Sequence, residues 1–88
     1  MPYPFSAREL KPNRTYRVVT EFTDYDGKIH APGERWRYLR ENYFPYDAGL
    51  TMYVEIESKE TTIRLQDYPE AQGPIIDHFS EFVAEDQK

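Results

Sequence analysis

The segment Leu50-Thr51-Met52-Tyr53-Val54-Glu55-Ile56-Glu57 alternates apolar and polar residues without a break. A two-residue period over this length fits a β-strand with one face on a core and the other in water. Leu50, Met52, Val54 and Ile56 are predicted to point inward, and Thr51, Tyr53, Glu55 and Glu57 outward. Tyr16-Arg17-Val18-Val19-Thr20-Glu21-Phe22 follows the same rhythm, so the chain reads as a small, mainly antiparallel β domain. That constrains an architecture and names no chemistry.

Eighty-eight residues predict a single domain, residues 1–88, with a thin core. Aromatic rings supply 16% of the residues, and each can bury about 150–250 Å². Eight tyrosines exceed what so small a core needs, which sends some of them to the surface. The chain has no cysteine, so disulfides, thiol nucleophiles and thiolate metal ligands are excluded. Met1-Pro2-Tyr3-Pro4 lacks the basic and apolar runs of a secretory leader, and no window has the length of a membrane span. The expectation is a cytoplasmic protein away from membranes. The net charge of −5 is uneven: residues 1–44 carry eight Lys/Arg against six Asp/Glu, and residues 45–88 three against ten. This balance favours solubility and disfavours a nucleic-acid backbone as partner.

Along the chain, Ser6-Ala7-Arg8-Glu9 forms a capping-box pattern that Pro12 limits to a turn or two, so residues 1–12 are predicted as an arm or short helix. Tyr16–Thr23 is the first predicted strand, with Tyr16, Val18, Thr20 and Phe22 on one face. Asp24-Tyr25-Asp26-Gly27 and Pro32-Gly33 are turn signals. Glu34–Arg40 is the second strand; Trp36 and Tyr38 share a face, and Leu39 breaks the alternation as a bulge would. Residues 42–49 read as an aromatic loop, 50–57 as the third strand, 58–60 as a turn and 61–66 as the fourth strand, with Ile63 and Leu65 inward. Ile75, Ile76, Phe79, Phe82 and Val83 recur at helical spacing after Pro74, predicting a C-terminal helix over 74–84 that closes a barrel over 15–67.

This order is similar to an SH3-like barrel or half-open roll of about four to five antiparallel strands. Phe22–Gly27 stands where the tyrosine-bearing loop of that fold stands, and Ala31–Leu39 looks like the turn and strand after it. The paired tryptophan and the proline-centred tyrosine turn of the peptide groove are missing, so the fold analogy is stronger than the ligand analogy. Most of the chain, residues 10–83, more closely resembles a family of small bacterial proteins known only as a domain of unknown function. The resemblance rests on Leu10-Lys11-Pro12, Tyr16-Arg17-Val18, Phe22–Gly27, Gly33-Glu34-Arg35-Trp36, Phe44–Leu50 and Ile63–Gln66. It implies a bacterial source and brings no activity, cofactor or catalytic residue.

The residues themselves offer few chemistries. His30 beside Asp24 and Asp26 has the makings of a general base, but a lone loop histidine near acids is usually just exposed. His78 reads as a boundary residue of the helix. Asp24-x-Asp26-Gly27 echoes a calcium loop, yet the register puts Phe22 and Gly33 at ligand positions, so it is a turn. No catalytic residue, metal or cofactor is predicted. Arg35, Arg37 and Arg40 interleave with Trp36 and Tyr38, followed by Tyr43 and Phe44, as in a nucleic-acid strip, but rings and cations fall on opposite faces. The simpler account is a strand whose rings are core and whose arginines are solvated or paired with Glu21 and Glu55.

The strongest surface is aromatic: Tyr25, Tyr43, Phe44 and Tyr46, with Tyr53 also outward, rimmed by Asp24, Asp26, Glu34 and Asp47. Such a rim suits an extended or basic peptide, unless Phe44 and Tyr46 plug the barrel mouth. The predicted function is a non-enzymatic protein-interaction module. A small-molecule or peptide sensor using the same loops is the alternative; a weak hydrolase at His30 and nucleic-acid binding through Arg35–Arg40 rank below it. An unpaired edge strand leaves the chain a monomer or a weak homodimer.

Overall fold

A computed structural model describes residues 4–46 and 48–86. The strands are β1 (Thr15–Val18), β2 (Phe22–Thr23), β3 (Ile29–His30), β4 (Arg35–Phe44), β5 (Gly49–Ile56), β6 (Lys59–Gln66) and β7 (Val83–Glu85); the helix is α1 (Gly73–Asp77). Five strands form one antiparallel sheet in the order β6-β5-β4-β1-β7, while β2 and β3 form a separate two-stranded ribbon. The domain is mainly β, as its rhythm predicts. It is an open sheet and not a closed barrel, because β6 and β7 end the sheet on opposite sides without meeting.

The alternation in β5 carries the core. Leu50, Met52 and Val54 are buried, and Ile63 and Leu65 of β6 and Trp36 and Tyr38 of β4 join them. Val18, Trp36, Met52 and Ile63 share this one interior. With the sheet open, its inner face needs other cover. Ala7 and Leu10 of the N-terminal segment supply part, Phe22 of the ribbon another, and Ile76 and Phe79 the rest. The Ser6–Glu9 capping box is formed, with the Ser6 amide donating to Glu9 Oε1 at 2.7 Å. The Trp36 indole N–H is buried without a partner among the described residues, and its ring centre lies 5.7 Å from that of Tyr16 and 6.5 Å from that of Phe79.

Two expectations about element boundaries are corrected. The first strand stops at Val18, since the Val19 and Thr20 amides both donate to the Phe82 carbonyl, at 2.7 and 3.1 Å. That kink leaves Thr20 exposed and lets β2 restart with Phe22 inward. The C-terminal helix covers only Gly73–Asp77, and Phe79–Glu81 is a single 3₁₀ turn. Val83 lies in β7, which pairs with the free side of β1, and the Asp86 amide donates to the Thr15 carbonyl at 2.8 Å. Main-chain bonds to an open strand edge outweigh the helical spacing of Phe79, Phe82 and Val83. His78 at the break is exposed.

Turn chemistry follows the sequence closely. Ala31-Pro32-Gly33-Glu34 closes with Glu34 N–H to Ala31 O at 3.1 Å, and Gly33 at φ 99° takes the left-handed position that such a turn reserves for glycine. The β5–β6 hairpin turns at Glu57-Ser58, one residue earlier than predicted, with both residues at positive φ. Gly73 is required for another reason: a Cβ there would lie 2.7 Å from the Tyr68 carbonyl oxygen.

Two core tyrosines give the domain an alkaline limit. Burial raises the pKa of the Tyr38 phenol well above its ordinary value of 10.0, and the hydrogen bond to Glu41 adds to this. Burial also raises that of Tyr16. A raised tyrosine value means the folded state holds its proton more tightly than the unfolded chain. The stabilisation is therefore complete below pH 10 and drains as pH rises above it, with a limiting slope of about 1.4 kcal/mol per pH unit per proton. Denaturation series from neutral to alkaline pH are expected to show this loss, and Tyr38→Phe to flatten it; an equal slope in that variant would exclude Tyr38.

Candidate functional site

The predicted site residues divide into an internal latch and an exposed surface. Asp24 and His30, read from sequence as exposed loop groups, are only 3% and 2% exposed. His30 Nε2 lies 2.8 Å from Asp24 Oδ2, and His30 Nδ1 lies 2.7 Å from Glu34 Oε2. Each nitrogen of the His30 ring thus faces a carboxylate oxygen at hydrogen-bond distance. The ring stacks on Phe22 at 4.8 Å between centroids, opposite it in the ribbon register. The other Asp24 oxygen, Oδ1, accepts from the Asp26 and Lys28 amides at 3.0 and 2.9 Å, which shapes the Asp24–Lys28 turn around Gly27. No cluster of acids and histidines suited to a metal ion occurs among the described residues.

The turn is pinned to the sheet from its outer side as well. The Tyr25 amide donates to the Arg64 carbonyl at 2.7 Å. The Arg64 guanidinium grips both oxygens of Asp26 and lies 5.4 Å from the centre of the Tyr25 ring. Those hydrogen bonds from Arg64 hold the Asp26 carboxyl below the usual carboxylate range, and the charges of Arg64 and Lys28 act the same way against an opposing loss of solvation. The acidic rim expected around the rings is thereby corrected. Asp24 and Glu34 turn inward to His30, Asp26 is neutralised by Arg64, and Asp47 lies outside the described residues.

All four predicted rings are exposed, and Tyr46 entirely so. None plugs the interior. Tyr43 and Phe44 belong to β4 and not to a loop, because the strand runs on past the bulge between Tyr38 and Arg40. Tyr43 pairs with the core residue Leu50 and so faces the inner side, 5.7 Å beneath the Arg8 guanidinium. Phe44 pairs with Gly49 on the outer side. There it meets Tyr25 across a hollow of about 60 Å³, floored by Gly49 and Thr51 and flanked by Arg64 and Gln66. Tyr25 and Phe44 thus form one cleft, while Tyr43 and Tyr46 stand apart from it. Thr51, Arg64 and Gln66 were not singled out from sequence, although the inward phase of Ile63 and Leu65 places Arg64 and Gln66 on the outer face.

The basic strand is fully engaged. Arg35 pairs with Asp86 and not with Glu21; Arg37 pairs with Glu55, as expected, and Arg40 with Glu60. Trp36 and Tyr38 are buried, away from these cations. Tyr53 packs under Arg40 at 4.5 Å. No described helix is long and apolar enough to cross a membrane.

A solved integron cassette protein from the mobile metagenome of Vibrio cholerae has the same fold, with a TM-score of 0.85 and 31% sequence identity over 88% of this chain and 86% of its own. No curated protein matches the chain. The model of a domain of unknown function, DUF3601, matches residues 7–85, nearly the whole of the sheet and its cover, and the chain belongs to that family.

Proposed function

We propose that this domain is a non-enzymatic, cytoplasmic protein-interaction module that seats a short apolar side chain of an extended peptide between Tyr25 and Phe44. The observation that carries this reading is the cleft itself: two exposed rings that the core does not use, set over a glycine on a rigid sheet. Large aromatics fixed on a scaffold are the usual anchors of binding energy. The hollow of about 60 Å³ favours one small side chain over a metabolite, whose sites span about 300–1,000 Å³. With Asp24, Asp26 and Glu34 already partnered, the ligand has no call to be basic. The sealed position of His30 supports a non-enzymatic role, and the engagement of Arg35, Arg37 and Arg40 in ion pairs speaks against a phosphate backbone.

A displayed library of extended peptides, selected on the folded domain, tests the proposal. Enriched peptides are expected to share a small apolar residue at one position. Phe44→Ala or Tyr25→Ala is expected to weaken their binding by about 30-fold, the effect of losing an anchor of about 2 kcal/mol. Binding indifferent to both substitutions, or no enrichment at all, would overturn it.

A further inference from the structure

The second half of β4 has a neighbour on one side only. β1 runs beside β4 from Arg35 to Arg37, and Arg14 and Asn13 extend the contact just as far as Tyr38. Beyond that point β4 continues to Phe44 paired with β5 alone. The β5–β6 hairpin closes on the pair Ile56–Lys59, which directs the main-chain groups of Leu50, Met52, Val54 and Ile56 toward β6. Those of Gly49, Thr51 and Tyr53 therefore serve β4, binding Phe44, Asn42 and Arg40. The main-chain groups of Glu41 and Tyr43 point the other way, off the sheet, and no described residue bonds them. The side chains around them are exposed or half-buried, and the stretch 39–44 contains neither proline nor lysine, two of the usual guards of such an edge.

We infer that this edge binds a second copy of the chain, β4 against β4, antiparallel about a two-fold axis through Asn42. The charge pattern selects both the occupant and the register. Antiparallel self-pairing centred on Arg40 sets arginine against arginine, and centring on Glu41 sets glutamate against glutamate. Centred on Asn42, amide meets amide, Arg40 falls opposite the second copy's Phe44 on the outer face, and Glu41 falls opposite the second copy's Tyr43 on the inner face. Neither pairing opposes like charges: Arg40 keeps its own partners Glu60 and Tyr53 beside the second copy's Phe44, and Glu41 sets a carboxylate beside a phenol. Glu41 and Tyr43 then exchange main-chain hydrogen bonds in both directions, and two five-stranded sheets become one continuous sheet. This inference rests on the main chain of β4 and does not depend on the cleft between Tyr25 and Phe44.

The register makes a direct test available, because the chain has no cysteine of its own. Asn42 faces its own copy as a non-hydrogen-bonded pair, at a Cα separation of about 4.5 Å that a disulfide spans. Asn42→Cys is expected to form a covalent dimer under mild oxidation about tenfold faster than Thr62→Cys, an exposed control on β6, since templated thiols meet at raised effective concentration. Glu41→Cys and Tyr43→Cys should crosslink with each other and poorly with themselves. Adding Glu41→Pro, which removes an outward N–H without touching the β5 ladder, should abolish the Asn42→Cys dimer. Tyr43→Glu, which sets carboxylate against carboxylate, should do the same. Equal rates for Asn42→Cys and Thr62→Cys would overturn the inference. So would amide resonances of Glu41 and Tyr43 that ignore dilution of the protein but move with an added foreign peptide.

Discussion

His30→Ala is expected to destabilise the domain by about 3–5 kcal/mol, the range for stripping a partner from buried charge. Asp24 is buried with Oδ2 on His30 Nε2, and Glu34 meets the other ring nitrogen; alanine leaves both carboxylates facing a void. The loss has a packing component too, since the imidazole stacks on Phe22, which itself packs edge-on against Phe79 and Phe82. Small domains hold only about 5–15 kcal/mol in total, so the variant should stand close to unfolding. Urea titration of wild type and variant measures it. His30→Phe separates the components: it keeps a ring against Phe22 and should recover only part of the loss. The double variant Asp24→Ala/His30→Ala should cost less than the sum of the singles, because each single already breaks the shared bond. A loss below about 1 kcal/mol for His30→Ala would mean that the latch is idle and that Arg64 alone positions Tyr25.

Phe79→Ala is expected to cost about 3–5 kcal/mol as well, through a cavity and not a charge. Phe79 is fully buried, with ring centres 5.7 Å from Phe22 and 6.5 Å from Trp36. It joins the ribbon to the sheet. In a domain of this size, 3 kcal/mol corresponds to a fall of about 12–24 °C in melting temperature. Thermal unfolding followed by tryptophan fluorescence reads the effect directly, because Trp36 is the sole tryptophan. A fall of only a few degrees would show that the C-terminal segment is not what closes the open sheet.

The parts of this fold legible in the sequence are those set by neighbours along the chain. The β5 alternation, the Ser6–Glu9 capping box, the turns at Gly27 and Gly33, and the irregularity at Leu39 are all local signals, and each is present. What escaped depends on strands distant in sequence. Val83 joins β7 because β1 offers it a free edge, which no pattern within residues 74–84 reveals. The same edge chemistry breaks the first strand after Val18. His30 looked like a solvated loop residue because its burial comes from Phe22 and the core behind it, while Asp24 and Glu34 satisfy its nitrogens. For the site, ring count identified the exposed aromatics, but only the β4–β5 register separates Phe44, in the cleft, from Tyr43, behind it.

One extra residue in β4 decides which of these rings meets solvent on which side. Tyr38 pairs with Val54 and Arg40 with Tyr53, so Leu39 is the residue without an opposite number. Were the ladder to run on unbroken, Arg40, Asn42 and Phe44 would all be driven toward the interior, while Leu39, Glu41 and Tyr43 took the outer face. A guanidinium would then have to be accommodated among Met52 and its apolar neighbours, and the wall opposite Tyr25 would vanish. Seating Leu39 opposite Tyr53 would thus invert the whole distal arm of the hairpin, whereas deleting Leu39 would remove the bulge and leave every distal side chain on its present face.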